Sequence, residues 1–133
     1  MGIFDLFRKK PKYIPTEQDA RWNRFIDEIC SKDLDDLSEI QKNAVLCFWY
    51  DGEVQNGGHS LYFDVCEESD HSRLTKALSA VGGGEAARIF EQALSEGEKD
   101  GWSEADEAYY RLSPSLCRRL MDYVEENREE IFR

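Results

Sequence analysis

The sequence predicts an all-α domain, a compact bundle of about six to seven helices, and three observations carry that prediction. Apolar residues recur at three- and four-residue spacing along most of the 133-residue chain, the period of helices with one buried face. Clean alternation of apolar and polar residues never extends beyond about four residues and β-branched residues are sparse, so strands have little to build on. Residues that start and stop helices fall at short intervals, with Thr16, Ser38, Ser103 and Ser113 at starts and glycine clusters at stops.

Each element follows in order. Pro11 and Pro15 divide a leader, residues 1–15, from the domain proper, residues 16–133. Thr16 and Asp19 make a capping-box-like pair, after which Trp22, Phe25, Ile26 and Ile29 form one apolar stripe ending near Cys30–Lys32. Residues 33–37 are a connector. Ser38 and Gln41 form a second capping pair for a helix running to about Gln55. It is apolar nearly all round through Ala44–Tyr50 and is therefore expected at the centre of the bundle. Gly52 within it is a candidate kink or close-packing point.

Asn56-Gly57-Gly58 stops this helix, and His59–Cys66 starts another, with Leu61, Tyr62, Val65 and Cys66 on its period. Beyond the polar break at residues 67–70, Leu74, Ala77, Leu78 and Val81 share a stripe. Gly82-Gly83-Gly84 ends it and a helix from Glu85 to Leu94 follows. Gly97–Gly101 is a loop, Ser103 can cap a short helix through Tyr110, and Ser113-Pro114 reads as an N-cap followed by a first-turn proline. Leu116, Leu120 and Val124, flanked by Met121 and Tyr123, give the last helix its buried face.

Composition narrows the function. A hydrophobic share of 41% suits a globular protein with a real core, while 133 residues suit one domain rather than two. Residues 1–15 set Asp5 against Arg8, Lys9, Lys10 and Lys12, a balance of +3, so the net charge of −11 leaves −14 on residues 16–133. An acidic body repels nucleic-acid phosphates, which argues against direct nucleic-acid binding and for a basic partner. A solvated acidic surface is the plain alternative. Cys30, Cys47, Cys66 and Cys117 are well separated, form no C-x-x-C pair and sit among apolar neighbours, the pattern of reduced thiols in a cytoplasmic protein rather than of a disulfide framework or zinc site. No run of about 20 apolar residues exists to span a membrane. The leader places Ile3, Phe4 and Phe7 before its charges, an order opposite to a secretory signal. It is read as a basic amphipathic segment too short for stable membrane insertion.

Nothing in the pattern selects a catalytic centre, and the expectation is a protein without enzymatic activity or cofactor. Gly82–Gly84 follows a helix rather than a strand and lacks a Lys-Ser/Thr pair, so a helix–helix turn is favoured over a phosphate cradle. His59 and Ser60 are sequence neighbours, whose side chains diverge on a helix. His71 with Glu67, Glu68 and Asp70 lacks a calcium-loop pattern. What remains is carboxylates, clustered at Asp33, Asp35, Asp36 and Glu39, at residues 67–70, at Glu96–Glu107 and at Glu125–Glu130. The candidate partner-binding acids are Glu96, Glu98, Asp100, Glu104, Asp106 and Glu107. Rigid helix-borne carboxylates imitate a phosphate backbone and suit the groove of a basic DNA-binding protein.

The block Glu53-Val54-Gln55-Asn56-Gly57-Gly58-His59-Ser60-Leu61-Tyr62-Phe63, with Ala77–Gly82, Ala86–Ile89 and Leu120–Asn127, resembles the bacterial DNA-mimic-protein C-terminal-domain family over roughly Ile40 to Ile131. Asn56, Gly57 and Gly58 are the signature turn, and His59 stands where that family usually carries an aromatic residue. The resemblance implies a compact all-helical protein, a transcription factor as partner through DNA mimicry, and a homodimer. Two other readings use the same residues: an immunity or antitoxin-type protein neutralising a basic nuclease, and a small-ligand protein or enzyme working at a pocket around Trp49, Asn56, His59 and Tyr62.

Overall fold

The computed structural model describes Ile14, residues 16–66 and residues 70–133; the rest of the leader and the acids Glu67 and Glu68 lie outside the described residues. The described residues form six α-helices and no strand. Helix α1 spans Glu17–Arg24 and continues as a π turn, Phe25–Ile29. Its cap is the predicted one, with Thr16 Oγ1 accepting the Asp19 N–H at 3.1 Å and Asp19 Oδ2 accepting the Thr16 N–H at 2.9 Å. The π turn sends Phe25 and Ile29 into the core, where Phe25 stacks on Trp22 and meets Phe48 edge-on. Arg21 pairs with Glu125 and ties α1 to the last part of the bundle. That pairing holds the Glu125 carboxyl below the ordinary carboxylate range.

Helix α2, Glu39–Val65, is the central element. Ser38 and Gln41 form its capping box, and Gln41 Nε2 also donates to the Ile131 carbonyl at 2.8 Å. Ala44, Val45, Leu46, Cys47, Tyr50 and Val54 are all buried, as an all-round apolar helix requires. Gly52 neither bends the helix nor meets a neighbour: it is exposed, and a Cβ added there would find nothing within 4 Å. The helix breaks instead at Gly57 and Gly58, and His59–Val65 forms a separate arm. On that arm His59 and Tyr62 are buried, whereas Val65, expected on the buried period, is 56% exposed. Val65 is the last residue of the arm, before the chain turns extended at Cys66 (φ −102°, ψ 141°), and little packs over it there.

Helix α3, His71–Glu96, packs against α2 and carries a matching break. Gly58 (φ 72°, ψ −176°) and Gly83 (φ 82°, ψ 178°) share one backbone conformation, a region open to glycine almost alone. The residue before each is also a glycine pressed against the next turn: a Cβ on Gly57 would meet Leu61 Cβ at 2.8 Å, and one on Gly82 would meet Ala86 Cβ at 2.8 Å. The two longest helices thus bend by the same device.

Helices α4, Ser103–Arg111, α5, Leu116–Glu126, and α6, Arg128–Ile131, close the bundle. The α5 cap is Ser115, whose hydroxyl accepts the Arg118 N–H at 3.2 Å, not Ser113. Pro114 sits in the preceding turn after a cis bond, and Arg119 fastens that turn to the α3 break by donating to Pro114 O at 2.8 Å and Gly82 O at 2.6 Å. At the centre of the core Tyr50 meets the rings of Tyr62, Phe90 and Tyr109 edge-on at 5.3–5.8 Å between centroids.

Candidate interaction site around His59 and Asp106

The acidic segment begins with a 3-10 turn, Gly97–Asp100, followed by Gly101 (φ 65°) and Trp102 (φ 64°). A left-handed tryptophan is uncommon and must be held in place. Its backbone N–H donates to Gly97 O at 2.6 Å, its indole Nε1 to Ala93 O at 3.1 Å, and its ring stacks on Phe63 at 5.4 Å. Asp100 Oδ2 then accepts the Glu104 N–H at 3.0 Å, so Asp100 serves the start of α4 and Ser103, expected as the cap, is already its first helical residue.

One turn further on, Asp106 is directed inward. Its Oδ1 accepts the His59 backbone N–H at 2.9 Å and His59 Nδ1–H at 2.7 Å, while His59 Nε2 lies 2.6 Å from the Tyr50 hydroxyl. A carboxylate only accepts, so Nδ1 carries the imidazole proton and Nε2 accepts from Tyr50 O–H. Burial holds His59 below its usual range, opposed by the hydrogen bond and charge of Asp106. Burial also pushes the Tyr50 hydroxyl well above its own range and keeps it a donor. Gly58 completes the arrangement, because a Cβ there would stand 2.6 Å from Asp106 Oδ2. The signature turn and the acidic segment, distant in sequence, are two halves of one constellation.

Tyr50, His59 and Asp106 are connected like a proton relay, but the relay is sealed. His59 is 0% exposed, both of its ring nitrogens are taken, and the rings of Tyr50, Phe63 and Tyr109 pack around it. The corner expected from Trp49, Asn56, His59 and Tyr62 is therefore filled around His59 rather than hollow. Trp49 faces elsewhere, onto a groove of about 730 Å³ that it lines with Cys30, Leu34 and Arg73. Asn56 is exposed, and the positive-φ glycine two residues on, Gly58, rather than its amide, makes the turn.

Burial raises all four thiols, Cys30 to about 12 and Cys47 further, which leaves them poor nucleophiles and ligands. All four are free, and among the described residues no cluster of His, Cys, Asp and Glu suits a metal ion. His71 packs against Tyr62, Phe63 and Phe90 rather than joining Asp70 in a cation site.

Of the six candidate acids, Glu96, Glu98, Asp100, Glu104 and Glu107 are exposed, and Asp106 is the one turned inward, its side chain 27% exposed. Glu107 reaches Arg111 at 3.8 Å in an exposed pair, whereas Glu96, Glu98, Asp100 and Glu104 make no ion pair among the described residues. Lys99 is the one base within the segment. At the opposite end of α2, Asp36, Glu39 and Glu130 line one cavity of about 510 Å³ with Lys32 and Arg133, bringing two further sequence clusters together. The part of α2 from Glu39 to Asn56 is roughly 27 Å long at a rise of 1.5 Å per residue.

The fold and the site define a class: an acidic all-helical domain, organised on two glycine-broken helices, whose signature turn is clasped to an acidic segment. The family model described as DMP19-like protein matches residues 35–127, and the chain belongs to this DNA-mimic-protein family. No curated protein and no solved structure matches the chain. No helix among the described residues is long and apolar enough to cross a membrane.

Proposed function

We propose that this chain is a non-enzymatic, cytoplasmic interaction protein that binds a basic DNA-binding protein by presenting carboxylates in place of DNA phosphates. The observation that carries this reading is the row Glu96, Glu98, Asp100 and Glu104, exposed and without ion pairs among the described residues, on a turn held by Trp102 and by the Asp106 clasp. Carboxylates on a fixed scaffold lose less conformational freedom on binding than carboxylates on a mobile tail. Membership of the DMP19-like family supports the same reading. The sealed His59 supports interaction rather than catalysis, since no ring nitrogen is left for a substrate.

Affinity capture on the immobilised protein, loaded with native lysate at low salt and eluted by rising salt, tests this function. Mimicry calls for a DNA-binding protein released at moderate salt. Capture of a basic nuclease lacking a regulatory role would favour the immunity reading of the same surface, and recovery of no basic protein would end both.

A further inference from the structure

Trp49 is the ring of α2 that the core does not take. Its neighbours Phe48 and Tyr50 pack against other rings, whereas Trp49 is 38% exposed and meets no ring among the described residues. It lines the groove of about 730 Å³ together with the partly buried side chains of Cys30 and Leu34. Asp33, Asp35 and Asp36 line the same groove, all exposed and without an ion pair among the described residues. Lys32 and Arg73 are its two bases and pair with none of these acids, so the groove keeps a net negative charge. An exposed indole beside unpaired carboxylates suits an occupant that carries both apolar and cationic side chains.

The chain contains such a segment. Residues 1–15 hold Ile3, Phe4, Leu6 and Phe7, then Arg8, Lys9, Lys10 and Lys12, at a net charge of +3. They lead into Thr16, the cap of α1, and α1 with its π turn runs from there to Cys30, at the edge of the groove. Thr16 to Cys30 is 14 positions, about 21 Å at 1.5 Å per residue. The nine steps from Phe7 back to Thr16 span at most about 30 Å when extended. The apolar residues of the leader therefore reach the groove with length to spare. The family model begins at residue 35, so the leader, α1 and the groove residues Cys30 to Leu34 all belong to the stretch that precedes the match.

We propose that residues 3–12 turn back along α1 and dock in the groove at Trp49. Ile3, Phe4 and Phe7 cover the indole, and the basic residues offset Asp33, Asp35 and Asp36. The proposal stands apart from the function argued above, because it holds whether or not residues 96–107 receive a partner. If they do, the leader's bases occupy the carboxylates of the groove and leave residues 96–107 as the acidic surface open to a separate protein.

The test uses the full chain, isotope-labelled for NMR, in which Trp22, Trp49 and Trp102 each give an indole N–H signal. Nuclear Overhauser contacts are expected from the Phe4 and Phe7 rings to the Trp49 indole and the Leu34 methyl groups. This measurement needs no variant, and absence of those contacts would overturn the proposal. In Phe4→Ser/Phe7→Ser the Trp49 signal should shift and its N–H should exchange with water several-fold faster, while the Trp102 signal stays in place. A Trp49 signal indifferent to both substitutions would also overturn it. Lys9→Glu/Lys10→Glu/Lys12→Glu tests the charge pairing: the Trp49 signal should move toward its position in the Phe4→Ser/Phe7→Ser protein, and no movement would refute that pairing. Mixing labelled with unlabelled chains identifies the occupant. Contacts confined to a single chain support docking of the chain's own leader, whereas contacts found only between chains would give the groove to a second copy and overturn the proposal.

Discussion

Asp106 holds His59 twice with a single oxygen, accepting the backbone N–H at 2.9 Å and the ring Nδ1–H at 2.7 Å across 47 residues of sequence. The same carboxylate lies where a side chain on Gly58 would have to go. Break, imidazole and acid therefore specify one another, and the acidic segment is an extension of the core rather than a loose loop.

Removing the acid should cost more than removing its charge. Asp106→Ala leaves two donors of a buried residue without an acceptor, a loss of about 1–3 kcal/mol for each unsatisfied group. Asp106→Asn retains an oxygen that accepts from at least one of them. Denaturant midpoints compared at constant m should rank native above Asn above Ala.

The two glycine breaks separate strain from crowding. Gly83→Ala meets open space, so its cost is the backbone conformation alone, of order 1–3 kcal/mol. Gly58→Ala adopts the same conformation and must also displace Asp106 from His59. It should be clearly the more damaging of the two by thermal unfolding, and most of the excess should vanish when both proteins carry Asp106→Ala.

Much of this architecture is legible in the sequence because it depends on local pattern. The stripes Leu74–Val81 and Leu116–Val124 are buried as their spacing predicts, and both glycine clusters stop their helices. Local rules mislead where they meet a longer-range demand. Ser113-Pro114 looks like a cap, yet the anchoring of that turn by Arg119 leaves Ser115 to do the capping. Asp106 groups with surface acids in the sequence because its partner is far away along the chain. Two faint signals point inward: Asp106 stands three residues before buried Tyr109 on the α4 stripe, and His59 is a polar ring inside an aromatic block.

Acid should weaken the fold through His59. Its pKa is depressed by burial, so the unfolded chain binds the additional proton first; the stabilisation is complete above about pH 6.5 and is lost as the pH falls from there toward the lowered native value. Each pH unit between the two values is worth about 1.4 kcal/mol. Asp51 acts with the opposite sign, since burial raises its carboxyl and its contribution falls as the pH rises. The difference between native and His59→Asn unfolding free energies, measured from pH 8 to 5, removes Asp51 from the comparison and should shrink steadily below pH 6.5.

Neutralising the surface row should leave the fold alone. Glu96, Glu98, Glu104 and Glu107 are exposed, so changing all four to Gln should alter stability by no more than about 0.5 kcal/mol per site. Binding to the captured partner at low salt should weaken by about tenfold or more, and its salt dependence should flatten, in isothermal titration.

Mimicry stands most directly on whether the partner must choose between this protein and DNA. With the captured DNA-binding protein held at fixed concentration, its duplex site is titrated into the complex while the native chain carries a fluorescent label. Mimicry predicts full displacement, with the apparent dissociation constant of the labelled chain rising in proportion to free duplex. A stable ternary complex of chain, partner and DNA would contradict it.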